Sequence, residues 1–532
     1  MRPLRTKGPR RTYNASVNAS PASPASSSRG SALRYVLLIA GAKLVLHLAF
    51  ASRYGYFGDE LYYLACAEHL DWGYVDQPPL IALVAWLVRH TLGDSLLALR
   101  AVPALAGAGL VVLTGLVARE MGARAAGMAL AALATACVPV LVVMHYLFTM
   151  NALEQLFWTG CALIVLRIIN TGNERLWLWF GVIAGLGLQA KYSMAIFGAG
   201  ACVGVLLGPL RSTLARRWIW LGGGIAALIF LPNVVWNVAH GWPFFELMAN
   251  IREGGRDVQL SPLGYLAAQV FLIGPVNLPI WLAGLVFFFS ASGRRYRPLG
   301  WTFVFVLVFF IATKGKDYYA APVFPIALAA GGILLERLSE RGRWRVLRPV
   351  VAVLLVLVTG LLLPIGLPIL SPDALTDYIE ALPFELPAAE HSHRAAKIPH
   401  HFAWQFGWEE MVRAVADVYR KLPPEDREKA AIFGSNFANA GAVDLFGPRY
   451  GLPKAIGGHQ SYWLWGPRDA TGAIVIVLGD TPENLARSCD SVEVGAVLAH
   501  PYARPVENRP VLVCRNEKPD VAAAWPRLKV WR

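Results

Sequence analysis

Apolar residues run almost unbroken through the first two thirds of the chain, then give way to short alternating segments. The long runs fall near 33–51, 98–118, 124–144, 152–169, 176–190, 192–208, 218–238, 264–290, 299–313, 318–336 and 347–370. A hydrocarbon layer about 30 Å thick takes roughly 20 helical residues to cross, so these runs predict about eleven transmembrane helices. The runs at 176–190 and 192–208 are short for that thickness, which predicts tilt, local thinning or a meeting point inside a wet cavity. Between the first two runs lies a first external loop, residues 52–97. Within it, "DELYYLACAEHL" and the segment following Pro79 have helical spacing but are too short to cross, and predict two helices lying along the interface. Tyr54, Tyr56, Tyr62, Tyr63 and Trp72 suit headgroup depth.

From residue 371 onward the pattern is that of a soluble domain. "EEMVRAVADVYRKLPPEDREK" carries Met411, Val412, Val415, Val418, Tyr419 and Leu422 on one helical stripe, ending at Pro423-Pro424. "AAIFGS", "AIVIVLGD" and "PVLVCR" predict buried strands. The expected architecture is a mainly α polytopic membrane protein with a small C-terminal extracytoplasmic α/β domain. Its divisions are a disordered basic tail (1–32), a membrane domain (33–370) and the soluble domain (371–532).

Charge orients this arrangement. Of 532 residues, 56% are apolar and 16% charged, with a net charge of +14. One alternating set of loops, with near-boundary residues assigned to the closest loop, holds 22 Lys/Arg against 4 Asp/Glu; the other holds 8 against 11. Such asymmetry places the basic set, and the N-terminus, in the cytoplasm. It also accounts for the positive charge without nucleic acid as a partner. Residues 371–532 are balanced, with 18 Lys/Arg and 20 Asp/Glu, and fall on the periplasmic or extracellular side of a bacterial-type inner membrane. There a disulfide between Cys489 and Cys514 is one of two open states. Cys137, Cys161 and Cys202 read as small apolar residues within spans.

The chemistry gathers on the external side. Asp59 and Glu60 stand together just past the first span. One reading is a helix N-terminus, where negative charge is favoured; the other is a general base at the membrane surface. His145, Asn151 and Glu154 lie at the outer ends of the third and fourth spans, and Arg252, Arg256 and Asp257 in a later loop. Lys314, Lys316, Asp317, Tyr318 and Tyr319 cluster before the tenth span. Lys191 sits between the two short runs, at a depth where an ionisable group usually lines a cavity. Lys43 and His47 share a face of the first span. A carboxylate base among Lys, Arg and Tyr fits displacement of a phosphate from a sugar carbon, with the cations stabilising the leaving group. No Walker or GxGxxG loop is present, so the activated sugar arrives on a membrane lipid. Direct displacement inverts the anomeric carbon.

"GDELYY", "PPLIALVAWL" with "LRAVPALAGAGLVVLTGLVARE", "GVIAGLGLQAKYSM" and "KDYYAAPVFPIALAAGG" together resemble the C-type polytopic glycosyltransferases. The resemblance is to the group holding the protein mannosyltransferases and aminoarabinose transferases (glycosyltransferase family 39), and covers about residues 35–335. It implies a GT-C bundle, a polyprenyl-phosphate sugar donor, and a lipid, protein or glycan acceptor in cell-envelope glycosylation. It also implies that Asp59 is the catalytic carboxylate with Glu60 its partner, and that Lys191, Lys316 and Tyr319 are near the donor phosphate; Arg252 joins that set from its place in the later external loop. Two departures stand out: Gln77 occupies a position often Lys, and Asn151, with Glu154 one turn on, occupies one often acidic. Glu154, Asn151 and His145 are thus candidates for a second acid or acceptor site. In "GGHQSYWLWGP", Trp463 and Trp465 are candidates for stacking on a sugar, with packing as the competing reading.

No cofactor is required by this chemistry. A metal-dependent variant would use Asp59, Glu60, His145 and Glu154 as ligands. The rival class is a transporter or lipid-handling scaffold, against which stand the absence of an internal repeat and the gathering of acids at one interface.

Overall fold

The computed structural model describes residues 24–340, 342–386, 390 and 396–532. The tail expected to be disordered lies outside the described residues up to position 23, and its remaining residues are part of a helix. The first helix, α1, spans Pro24–Phe50.

The first external loop supplies α2 (Gly58–Glu68) and α3 (Leu80–Thr91). The bundle continues with α4 (Leu96–Glu120), α5 (Ala125–Ala136), α6 (Pro139–Met144), α7 (Met150–Thr171), α8 (Leu176–Ala190), α9 (Met194–Leu207) and α10 (Arg217–Ala239). It is completed by α11 (Pro243–Glu253), α12 (Pro262–Ile273), α13 (Leu278–Phe289), α14 (Arg297–Ala312), α15 (Phe324–Leu338) and α16 (Leu347–Gly366). Among the described residues seven helices are long and apolar enough to cross a membrane, or nine if two bent pairs each count as a span. All eleven expected runs are helical, but the count of eleven is reached only by adding α5 with α6, and α8, which are short. Their breaks have local causes. Pro139 starts α6 and interrupts the run 124–144. The run 264–290 bends by 102° where Gly274, at φ 94°, meets Pro275.

Helices α1, α4, α5, α7 and α15 form the centre of the bundle. Helices α13 and α15 approach until a Cβ on Gly331 would lie 1.9 Å from the Ile280 carbonyl oxygen, so this crossing admits only glycine. At 25 residues, α4 is about 37 Å long and separates the ends of the bundle. Arg100, near its start, bonds into the first external loop. At its far end Arg124, Glu336, Glu340, Arg345 and Arg348 surround a second, smaller pocket. Among the described residues, the first external loop and this Arg- and Glu-lined pocket thus lie at opposite ends of α4.

The C-terminal part holds α17 (Pro372–Glu380), α18 (His400–Ala403), α19 (Trp408–Lys421), α20 (Pro424–Arg427) and α21 (Phe437–Phe446). Its sheet has strands β1 (Ala430–Gly434), β2 (Ile474–Leu478), β3 (Cys489–Ala496) and β4 (Val511–Glu517) in the order β1-β2-β4-β3. β1 and β2 are parallel and the other pairs antiparallel. Helix α19 buries Met411, Val412, Val415 and Val418, most of the expected stripe. A disulfide joins Cys489 to Cys514.

The main correction concerns α2. It does not lie on the interface. Nine of its eleven residues are buried, and Leu61, Tyr63 and Leu64 share one apolar cluster with Val412, Val415, Val443 and Ile476 of the C-terminal part. Tyr54 and Tyr62 are likewise packed in protein, and Trp72 stays exposed. Helix α3 is amphipathic as expected, with Ala82 and Ala85 buried and Leu83 and Leu87 exposed.

Candidate active site

Helix α2 begins where the chain turns out of α1. The Phe57 N–H donates to Glu60 Oε2 at 2.8 Å, so the third residue of the helix caps its own start. Gly58 is needed there because a Cβ would lie 2.3 Å from Trp404 Cε2. Asp59 follows, at a helix start that favours its charge, and lines a cavity of about 1960 Å³ between the bundle and the C-terminal part.

Glu60 goes the other way. It is fully buried and receives Arg100 Nε at 2.9 Å, Arg100 Nη2 at 2.8 Å and the Phe148 N–H at 2.9 Å. Arg100 also donates to the Ala51 and Gly55 carbonyls and to Tyr146. With both oxygens occupied, and lying outside the cavity wall, Glu60 is not beside the reacting space. The expected pairing of two catalytic acids is corrected to one acid in the cavity and one holding the loop.

Burial pushes the Asp59 carboxyl up to about 7, with the nearby Asp76 and Glu390 acting in the same direction and Lys316 and Arg504 opposing them. Asp76, also in the cavity wall, is raised to about 6 by burial, partly offset by a hydrogen bond from Tyr62.

Lys191 terminates α8 with extended backbone, and its Nζ donates to Asn151 Oδ1 at 2.8 Å and Glu154 Oε2 at 2.9 Å. It lies over the Tyr319 ring at 4.8 Å. Glu154 is 2% exposed, also accepts from Ser193, and lies behind the cavity wall, while Asn151 is part of the wall. Lys316 Nζ donates to Glu390 Oε1 at 2.6 Å and lies 3.4 Å from Asp257 Oδ1. Arg256 Nε reaches the same two carboxylates, at 3.4 and 3.6 Å. Burial acts to lower the Lys316 ammonium, but Tyr318, Tyr319 and Glu390 outweigh it and raise it. The segment is held from α12, where Tyr265 donates to the Lys316 carbonyl and Gln269 to that of Asp317.

Asp59, Lys191, Lys316, Tyr319 and Asn151 therefore line one cavity. Other candidates do not. Arg252 is exposed and outside the wall; Arg256, beyond the end of α11, is in it. His145 is buried against Gly107 and near His47, away from the cavity. Trp465 stacks on His69 at 4.3 Å, and Trp463 packs on Trp531 and donates its indole N–H to the Trp525 carbonyl. Neither tryptophan lines the cavity. Gln77 is buried outside the wall, so it offers nothing to a ligand. Asp59, Glu60, His145 and Glu154 do not converge, and no group of three potential ligands forms a metal site among the described residues. Asp76, Arg504, Trp404 and Glu390 belong to the wall and went unread in the sequence. Asp76 alone left a signal, as an acid two residues before the double proline.

Comparisons with known proteins bear on the fold and on the sequence around α3 to α10. Residues 76–236 match the family model described as dolichyl-phosphate-mannose-protein mannosyltransferase. The lipid A galacturonosyltransferase RgtD of Rhizobium johnstonii (strain DSM 114642 / LMG 32736 / 3841) is 27% identical over 296 residues. That match covers 52% of this chain and spans 59% of the relative's length. Two solved structures of ArnT from Cupriavidus metallidurans share the fold. The one bound to undecaprenyl phosphate gives a TM-score of 0.61 at 16% identity, and the apo one 0.60 at 15%. Each comparison covers 90% of this chain and 97% of ArnT. The GT-C bundle with a small C-terminal sheet is thus the architecture of this chain.

Proposed function

We propose that this chain is an integral-membrane, inverting glycosyltransferase that moves a sugar from a polyprenyl-phosphate donor to an acceptor hydroxyl. The observation that carries the reading is the shared cavity, with one carboxyl raised to about 7 beside Lys316 and within the same walls as Lys191, Arg256 and Tyr319.

In this reading Asp59 takes the proton from the acceptor hydroxyl as its oxygen bonds to the anomeric carbon. The bond from that carbon to the phosphate oxygen breaks, and the polyprenyl phosphate leaves with the electron pair. Lys316, Lys191 and Arg256 stabilise the charge that develops on the phosphate, aided by the Tyr319 hydroxyl. The incoming phosphate competes with the Glu390 carboxylate for Lys316 and Arg256. Glu60 and Arg100 act only by fixing the start of α2.

The ArnT structure bound to undecaprenyl phosphate supports a carrier of that kind. The relative named a lipid A galacturonosyltransferase supports a lipid acceptor and a uronosyl group. The loop charge asymmetry and the disulfide in the C-terminal part support an inner-membrane protein with its N-terminus in the cytoplasm and the cavity outside.

The test is mass spectrometry of polyprenyl-phosphate lipids from a deletion strain. An unused sugar-charged carrier accumulates, is cleared by the wild-type gene, and persists with Asp59→Asn. Clearance by Asp59→Asn overturns the role of the base, and no accumulation overturns the donor class.

A further inference from the structure

The segment "GGHQSYWLWGP" from the C-terminal part keeps both tryptophans out of the cavity wall, yet it reaches the cavity through other residues. Ser461, 1% exposed, places its Oγ 2.7 Å from the Tyr62 hydroxyl and accepts the Val75 N–H at 3.1 Å. The same Tyr62 hydroxyl lies 2.9 Å from Asp76 Oδ1 and accepts the Ser461 N–H at 3.3 Å. Proton counting fixes the directions. Tyr62 has one hydroxyl proton, and an ionised Asp76 can only accept, so that proton goes to Asp76. Ser461, already accepting from Val75, then donates its own proton to Tyr62. The circuit runs from the Val75 backbone through Ser461 and Tyr62 back to the side chain of the next residue, Asp76.

We propose that Ser461 is a positioning residue of the active site, fixing the Asp76 carboxylate opposite Asp59 through the Tyr62 hydroxyl. The ring of Tyr62 is held by the same part of the chain: it stacks on Phe437 at 4.7 Å, which stacks in turn on His459 at 5.0 Å. The C-terminal part therefore sets both the plane of Tyr62 and the rotation of its hydroxyl. Asp76, restrained on one oxygen, keeps its charge at a fixed distance from the base. This gives the C-terminal part a role in catalysis rather than only in covering the cavity. The inference rests on Asp59 as the base for its catalytic meaning, but the clamp is measurable without it.

The groups facing Asp76 are Asp59, Arg256, Tyr62, Tyr63, Cys66 and Tyr192. Of these, Asp59 titrates near Asp76 itself, and the tyrosines and Cys66 are raised away from the range. The Tyr62 hydroxyl bonds the ionised form of Asp76 more strongly than the protonated one. Breaking the chain should therefore cost more where Asp76 is charged, above about pH 6, than where it is protonated.

The experiment is the melting temperature of the full-length, detergent-purified protein at pH 5 and pH 8. Ser461→Ala and Tyr62→Phe are expected to lose more at pH 8 than at pH 5, and Ser461→Thr, which keeps the hydroxyl, to match wild type at both. In an Asp76→Asn background the pH-dependent part of the Ser461→Ala loss should vanish, while binding of undecaprenyl phosphate to Ser461→Ala stays within about twofold of wild type. An equal loss at both pH values, or an undiminished pH-dependent loss with Asp76→Asn, overturns the clamp and leaves Asp59 untouched. Full transfer by Asp59→Asn removes the base and leaves the clamp standing.

Discussion

Asp59 is held near neutrality by opposed neighbours, and its pH behaviour follows from them. Its carboxyl is raised from 3.8 to about 7 by burial, Asp76 and Glu390, against Lys316 and Arg504. A general base works only when ionised, so kcat/KM should be flat above about pH 7 and fall about tenfold per unit below it. Stability has the opposite sign. A carboxyl whose folded pKa is raised favours the folded state fully below about 3.8, and that contribution is lost as pH rises through 7. A pH–rate profile with an acid limb near 4 would contradict this environment. Glu60 behaves differently. Glu60→Gln leaves Arg100 buried without its charge partner and should cost about 3–5 kcal/mol, seen as loss of thermal stability in detergent. Near-wild-type melting would mean that the pair contributes little to holding the loop. Sequence showed two adjacent acids but not their opposite directions, because the split depends on Arg100, forty residues away. The sequence places Arg252 and Arg256 in one loop; it does not show that α11 ends at Glu253 and that the chain turns at Gly255, φ 59°, before Arg256.

At the scale of elements, α2 carries the site because it is trapped between two bodies. Its aromatic residues read equally well as an interfacial belt or a packed face, and hydropathy does not separate these. The packing partners, Val412, Val443 and Ile476, lie hundreds of residues later. The same ambiguity holds for Trp463, whose neighbours Trp525 and Trp531 lie at the end of the sequence. Strand β3 escaped notice because "CDSVEVGA" is an exposed edge with little alternation. By contrast, the stripe of α19 and the buried strands β1, β2 and β4 were legible, since each carries its own periodicity. Trapping of α2 makes a sharp prediction at its first residue. Gly58→Ala drives a methyl group into Trp404 and should destabilise by about 1–3 kcal/mol, with transfer reduced through displacement of Asp59. A Gly58→Ala, Trp404→Leu double variant, which opens the space, should recover part of that loss. Failure to recover in either assay would place the strain elsewhere.

For the whole molecule, helical runs and loop charges were readable because a bilayer imposes length and sign on every span. The cavity was readable only in part. Asp59, Lys191 and Lys316 stood out as ionisable groups at one interface, whereas Arg504 and Trp404 reach the cavity through the fold of the C-terminal part. The division of labour across the cavity predicts separable effects. Lys316→Ala and Lys191→Ala should weaken undecaprenyl phosphate binding by roughly tenfold or more each, as loss of a charge-assisted contact implies. Unchanged affinity in both, by titration of purified protein, would remove the phosphate from that wall.

The measurement that bears most directly on the account is the single-turnover rate of sugar transfer by Asp59→Asn, compared with wild type under saturating charged polyprenyl donor. Loss of about a hundredfold or more, with undecaprenyl phosphate still bound as tightly as in wild type, is the predicted result. Transfer within a few fold of wild type would contradict it, because the cavity would then be working without its base.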